Sequence, residues 1–286
     1  MTDQAQSLRK LMDSTDIEDT KVISIVSGKG GVGKSNFSLN FSIALAKAGK
    51  KVVLFDLDIG MANVDILMGV SSRYNIVDMI ENELTIWDII ETGPENISFV
   101  SGGSGFTKLF KLTPEKYERF ISQLEGLYKK YDYILFDMGA GVSEDSIQYI
   151  LAANEAIIVT TPEPTSITDA YAMLKFMHLQ DESMPCSLLV NRAETNSEGE
   201  STAENLKRVA KQFLQKDISV LGTIPNDKVV VKAVKHQQPF LLFDPRSKPS
   251  QAITNIVASY IGKRTKKEAV LFPSFISKLK GLLAKG

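Results

Sequence analysis

Residues 27–35, SGKGGVGKS, follow the apolar run VISIV at 22–26 and lead into a segment of helical spacing. A strand, a glycine-rich turn and a helix in that order allow few folds. The glycines let the backbone curl tightly and aim successive N–H groups inward. The helix beginning near Lys34 adds its N-terminal dipole, so the turn can cradle phosphate oxygens. The spacing G-x-x-x-x-G-K-[ST] assigns Gly28, Gly30, Gly31, Val32 and Gly33 to the cradle, with Asn36 in the helix that follows. Lys34 would reach the β- and γ-phosphates and the Ser35 hydroxyl would ligate Mg2+. One charge is left over: a single loop needs one lysine for its own phosphates, and Lys29 is a second.

From Lys21 onward, short β-branched runs alternate with segments of helical period. VISIV, KVVLF, ISFV, YDYILF, AIIVT, SLLVN and ISVLGTIP are the runs; residues 35–48, the region near 75–91 and the stretch after Pro114 are the first helical segments. Runs that are apolar on successive residues are buried on both faces, and the helices between them supply parallel crossovers. The expectation is an α/β fold, a single doubly wound, mostly parallel sheet flanked by helices. No composition break divides residues 21–262, which are read as one domain, with an arm at 1–20 before it and a tail at 263–286 after it. Trp87, in LTIWDII, reads as a core residue and Cys186, beside a strand, as buried. His178 and His236 lack metal-ligand neighbours and read as surface or packing residues.

A phosphate loop also needs an acid near its metal, usually at the end of a buried strand. YDYILFDMGAG supplies Asp137, a candidate for orienting a Mg2+-bound water. VVLFDLDIGMANVD supplies Asp56 and Asp58, which a spacing of two puts on one side of an extended chain, one of them toward the γ-phosphate. The alternative is that these carboxylates only cap the helices that follow. LLVNR and TIPND close two further strands at the edge where nucleotide bases sit in such sheets, so Asn191, Arg192, Pro225 and Asp227 are candidates for a base pocket.

With Lys29 included, the loop reads K-G-G-x-G-K-[ST] and resembles the deviant Walker A loop of the MinD/ParA family of dimerising ATPases. The resemblance covers about residues 21–284. DLDIGMANVDILMG is similar to that family's switch I, FDMGAG to its switch II, LLVNR and IPND to its adenine-contacting segments, and the tail to its membrane-targeting helix. It implies a P-loop fold, ATP/ADP and Mg2+ as cofactors, and slow ATP hydrolysis activated by dimerisation. It implies further that Lys29 crosses to the neighbouring subunit's nucleotide in an ATP-bound homodimer, while Lys34 serves its own chain. Asp58 would position the attacking water, Ser35 and Asp137 would serve the metal, and Asn63 would lie near the interface and nucleotide. One departure concerns switch II, where DMGAG replaces the family's DSPAG and its proline.

Charge and composition narrow the setting. A formal net charge of −1 gives no overall electrostatic case for nucleic acid, and no nucleic-acid partner is expected. A lone cysteine excludes internal disulfides, and no leader-like segment precedes the first strand, which together suggest the cytoplasm. After the basic run KRTKKE, the stretch LFPSFISKLKGLLAKG begins a helical pattern past Pro273. Phe275, Ile276, Leu279, Leu282 and Leu283 form its apolar face, with Phe272 just before it and lysines opposite. Such a helix lies in an anionic headgroup plane, weakly alone and more firmly in pairs; the other reading is a terminal helix packed on the body.

At the opposite end, DQAQSLRKLM sets Leu8, Leu11 and Met12 at helical spacing, in what is otherwise a solvated extension. This piece resembles the activator motif of the FlhG branch of the same family, the flagellar number regulators. That implies an arm that stimulates an FlhF-type GTPase through Gln4, Leu8 and Arg9, with Gln4 orienting the attacking water, and flagellar basal-body components as further partners. The expected protein regulates flagellar number or placement and is peripheral on the inner face of the plasma membrane when ATP-bound. A MinD-type cell-division regulator and a ParA-like DNA-partitioning ATPase are the alternatives.

Overall fold

The computed structural model describes residues 19–58, 63–102, 113–141, 144–263 and 271–283. The expectations placed on Gln4, Leu8 and Arg9 lie outside them. The strands are β1 (Lys21–Val26), β2 (Val52–Leu57), β3 (Glu91–Thr92), β4 (Ser98–Val100), β5 (Tyr133–Met138), β6 (Glu155–Thr160), β7 (Cys186–Ala193) and β8 (Ser219–Pro225). They form one sheet in the order β3-β4-β2-β5-β1-β6-β7-β8. Every pairing is parallel except that of the two-residue edge strand β3 with β4. This is the doubly wound sheet expected. β1 stands where the strand order turns from one side of the sheet to the other, the place outside whose carboxyl ends ligands sit in such folds.

The helices are α1 (Lys34–Lys47), α2 (Val64–Met68), α3 (Ile76–Glu81), α4 (Ile86–Ile89), α5 (Pro114–Glu125), α6 (Glu144–Ala152), α7 (Pro164–Gln180), α8 (Asn196–Leu214), α9 (Lys228–Lys235), α10 (Phe240–Phe243), α11 (Lys248–Lys263) and α12 (Leu271–Leu283). They cover both faces of the sheet. Successive side chains of a strand point to opposite faces, so Val22 and Val26 enter the layer shared with α5, α6, α7, α8 and α12. Ile23 and Ile25 enter the layer shared with α1 and α11. α1 is sunk in that second layer: Phe37 through Leu45 are all buried. Its buried polar groups are satisfied locally, Ser42 Oγ donating to Ser38 O at 2.8 Å and Asn40 accepting from the Leu241 amide at 2.9 Å, as desolvated polar atoms require.

Two sequence readings look different in three dimensions. Trp87 is 50% exposed rather than core. α4 is a single turn, so only one i, i+3 pair faces inward, and Ile86 and Ile89 take those positions. The C-terminal helix starts at Leu271, two residues before Pro273, because proline is tolerated in a first turn whose N–H groups have no intrahelical partner. Its apolar side does not face outward. Phe272, Phe275, Ile276 and Leu279 are buried in the first layer, against α6 and β1. The Phe275 ring lies 5.8 Å from that of Phe136, and Phe272 stacks on Tyr128 at 5.2 Å. Leu282 packs at the margin; the Leu283 side chain lies outside the described residues. Asn154 ties the helix down, donating to Leu271 O at 2.8 Å while accepting from the Val22 amide at 2.7 Å. No helix among the described residues is long and apolar enough to cross a membrane.

Candidate functional site

The loop between β1 and α1 has the geometry its glycines permit. Gly33, at φ 90°, caps α1 in the left-handed region, where a side chain would be strained. Gly28 answers a different demand. A Cβ there would lie 2.1 Å from the backbone oxygen of Asp169, so its missing side chain is what lets α7 approach the loop. Lys34 then opens α1, and its Nζ lies 2.8 Å from Asp137 Oδ1, both side chains buried. The same carboxylate oxygen accepts from Ser38 Oγ at 2.8 Å. Switch II and the loop also meet through their backbones, Gly141 N donating to Ser27 O at 3.0 Å.

Asp137 on β5 stands in register with Asp56 on β2, and both carboxylates are buried. Burial, with the Asp137 charge beside it, pushes Asp56 up to about 7, against three backbone N–H groups that favour its ionised form. Those amides belong to Asp58, Asn63 and Val64, at 3.1, 2.8 and 3.1 Å. Asp56 therefore binds backbone N–H groups from both sides of residues 59–62. Asp58 is the freer of the pair, only half buried, with Asn63 Nδ2 at 3.5 Å from its Oδ2. Burial raises its pKa, the Lys34 ammonium opposes that and Asp137 adds to it. Lys34, Asp137, Asp56, Asp58 and Asn63 thus converge at the carboxyl ends of β2 and β5.

Lys29 turns elsewhere. Its Nζ lies 3.3 Å from Glu163 Oε2 and 3.1 Å from Thr165 Oγ1, at the start of α7, and the side chain remains 41% exposed.

A cavity of about 870 Å3 adjoins the loop and is lined by Gly33, Asn36, Asn191, Arg192, Pro225 and Asp227 among others. That volume suits a nucleotide-sized ligand. Asn191 Nδ2 donates to Val32 O at 2.8 Å, fastening the end of β7 to the phosphate loop. A register irregularity between Asn191 and Ala193 accompanies a left-handed Arg192, at φ 58°, a conformation rare for a residue with a Cβ. Asp227 caps α9, accepting from the Val229 amide, so here the capping role and a place in the cavity wall coexist. The sequence reading missed Thr161 and Glu163, which follow β6 and also line the cavity. The carboxyl-edge rule that found Asn191 applied equally to the end of AIIVT. It also missed Ser38, whose only signal was a small polar residue one helical turn beyond Lys34.

A metal fits this site. Asp137 Oδ2 is buried and has no hydrogen-bond partner among the described residues. A spare carboxylate oxygen, with the Ser35 hydroxyl at the head of α1, is the oxygen donor set that Mg2+ takes.

Comparison with known proteins identifies the family that carries such a loop. The ParA family model, described as an NUBPL iron-transfer P-loop NTPase, matches residues 18–261. The antiactivator FleN of Pseudomonas aeruginosa is 35% identical over 232 residues, 81% of this chain and 83% of FleN. The flagellum site-determining protein YlxH of Helicobacter pylori is 34% identical over 272 residues, 92% of each chain. Among solved structures, the septum site-determining protein MinD complexed with Mg-ADP, from Pyrococcus horikoshii OT3, is 30% identical, with 84% of this chain and 96% of that one covered and a TM-score of 0.69. The two-lysine loop, the parallel sheet that carries it and the extent of these matches lead to one assignment: the chain belongs to the MinD/ParA family of P-loop ATPases.

Proposed function

We propose that this ATPase is a nucleotide-timed dimer switch that regulates flagellar number or placement. The observation that carries the reading is Lys29, a loop lysine whose ammonium is directed to Glu163 and away from the Lys34–Asp137 pair. Its own phosphate site is already served by Lys34, so its chemical use lies with a second subunit. Positive charge supplied in trans to a phosphoryl group as its bonds loosen contributes about 10³ to 10⁵ in rate in GTPases, and a lysine can act in the same sense. ATP/ADP with Mg2+ are the cofactors of this reading. Mg2+ would offset the negative charge of the phosphates there. Ser35 and Asp137 would hold it, Lys34 binds the phosphates of its own chain, and Asp58, half buried beside Asn63, orients water for attack.

The names of FleN and YlxH support the flagellar assignment. The arm at 1–20 is proposed to stimulate an FlhF-type GTPase, with flagellar basal-body components as further partners. Attachment to an anionic membrane surface is proposed through α12, which must first leave its groove. That exchange moves Phe272, Phe275, Ile276 and Leu279 from one apolar setting to another, so its net cost is small relative to the burial itself. α6, which follows switch II, forms one wall of the groove and is the natural relay from nucleotide to helix. The likeness to a septum site-determining MinD supports a second reading, a division-site regulator.

The test is the mass of the chain in solution with ATP and Mg2+, for the parent and Asp58→Ala. The switch predicts a dimer that accumulates in Asp58→Ala because hydrolysis no longer dissolves it. A variant that stays monomeric with saturating ATP counts against the switch.

A further inference from the structure

The buried hydroxyl of Ser38 is not used by any role assigned above. Ser38 lies on α1 one turn beyond Lys34, is fully buried, and places Oγ 2.8 Å from Asp137 Oδ1 and 3.0 Å from Lys34 O. A hydroxyl has one proton, and both neighbours only accept. The carboxylate is the shorter contact and the charged one, so it takes the proton in the stronger bond. Ser42, one turn further on, donates to the carbonyl four residues back, as helical serines commonly do. Ser38 is diverted from that habit by Asp137.

Asp137 Oδ1 therefore holds two donors, Lys34 Nζ and Ser38 Oγ, while Oδ2 is buried without a hydrogen-bond partner among the described residues. The two donors differ in what they can do next. The Lys34 ammonium ends a flexible stem and is the group that phosphate oxygens attract. The Ser38 hydroxyl sits on one bond from a helix sunk in the core.

We propose that Ser38 is a positioning residue for the metal site. When Lys34 turns to a phosphate, Ser38 keeps Asp137 Oδ1 and so holds Oδ2 directed at the cation. Without that hydroxyl, Lys34 is the one donor left to Asp137 among the described residues. The carboxylate then loses its fixed orientation as the lysine leaves, and the lysine is held back by a carboxylate with no other donor. Both effects weaken the cation's part in binding more than they weaken the cavity's hold on the base. This inference rests on the reading that the site takes a Mg2+-nucleotide.

The experiment titrates Mg2+ at fixed fluorescent ATP analogue and measures bound nucleotide for the parent, Ser38→Ala, Asp137→Asn and the double variant. Removing a hydrogen bond to a charged group predicts roughly a tenfold rise in the Mg2+ concentration for half-maximal binding in Ser38→Ala, with binding in excess EDTA changed less than threefold. In the Asp137→Asn background the same substitution is expected to add less than twofold, because Ser38 acts through that carboxylate. Ser38→Thr, which keeps the hydroxyl, restores the parent's Mg2+ dependence. Ser38→Ala with an unshifted Mg2+ midpoint, or an equal shift with and without Asp137, overturns the inference. A parent whose nucleotide binding ignores Mg2+ overturns instead the metal reading on which it rests. Far-ultraviolet circular dichroism of each variant separates misfolding from a displaced carboxylate.

Discussion

Lys29 Nζ stands 3.3 Å from Glu163 Oε2 of its own chain, so the lysine proposed to serve a second subunit is already engaged. Dimerisation has to break that contact twice, once in each chain. The pair is exposed, 41% and 63% at its two side chains, and exposed ion pairs contribute at most about 1 kcal/mol each. Glu163→Gln is therefore expected to lower the ATP concentration for half-maximal dimer by a few-fold. Lys29→Ala is expected to abolish the dimer while monomer binding of ATP changes little. Sedimentation velocity over an ATP series, with nucleotide binding measured separately because Glu163 also lines the cavity, checks both. A Lys29→Ala protein that dimerises like its parent removes the trans role.

Asp56 makes the nucleotide-free protein sensitive to pH. Its folded pKa is raised from 3.8 to about 7, so the folded state binds the proton more tightly than the unfolded chain. The stability it contributes is complete below the unfolded value and is lost as pH rises through the folded one. Between about pH 4 and 7 the expected loss from this group is on the order of 1 kcal/mol per pH unit. Asp56→Asn begins less stable, since one of the three loop amides meets an amide donor, but its slope over that range should be flatter. Urea midpoints for both proteins at pH 5 and 7.5, without nucleotide or Mg2+, decide it; parallel pH dependence would place the titration elsewhere.

The parallel sheet and the phosphate loop were legible because both are local signals. Runs such as VISIV and YILFDM are apolar or aromatic at every position but one, Ser24 in the first and Asp137 in the second, and the loop's glycines and Lys34 stand at fixed spacing. Strand ends likewise announced Asp137, Asn191 and Pro225. What the sequence left open were the choices made by packing. LTIWDII contains enough apolar residues for several inward faces, and only the length of α4 decides that Trp87 is left outside. The amphipathic stripe of α12 is equally suited to lipid and to a protein groove; the groove formed by α6 and β1 comes from residues more than a hundred positions away. Ser38 is a common polar residue whose role arises from a neighbour distant in sequence, and no spacing rule marks it; Glu163 was within reach of the carboxyl-edge rule, but its contact with Lys29 comes only from the fold.

Cys186 offers a probe of the far side of the sheet. It is the sole cysteine, it is buried, and Sγ lies 3.4 Å from Met184 O. Burial pushes the thiol up to about 11, with Lys216 opposing. The thiolate is the reactive form, so near neutral pH a thiol at about 11 rather than the ordinary 9.0 is modified roughly a hundredfold more slowly, before access is considered. A maleimide reagent at pH 7.5 is expected to label the native protein at least that much more slowly than the protein in guanidinium chloride. Equal rates would mean that the start of β7 is open in solution.

The docking of α12 has a consequence for stability that separates it from a helix carried in solvent. Phe275 is fully buried, its ring 5.8 Å from that of Phe136 in the sheet. Truncating a buried phenylalanine to alanine costs about 3–5 kcal/mol, which in a domain of this size lowers Tm by roughly 10 °C. A helix projecting into water would make the same substitution nearly neutral. Phe275→Ala is thus expected to melt well below the parent in the absence of ATP and vesicles. The exposed Lys280, paired with Glu125 at 3.0 Å, serves as the contrast: Lys280→Gln should leave Tm within about 2 °C, since exposed pairs contribute little, yet weaken sedimentation with anionic vesicles in ATP. If Phe275→Ala left Tm unchanged, the buried helix would not describe the protein in solution; if Lys280→Gln left vesicle binding unchanged, the basic side of α12 would not be what meets the lipid.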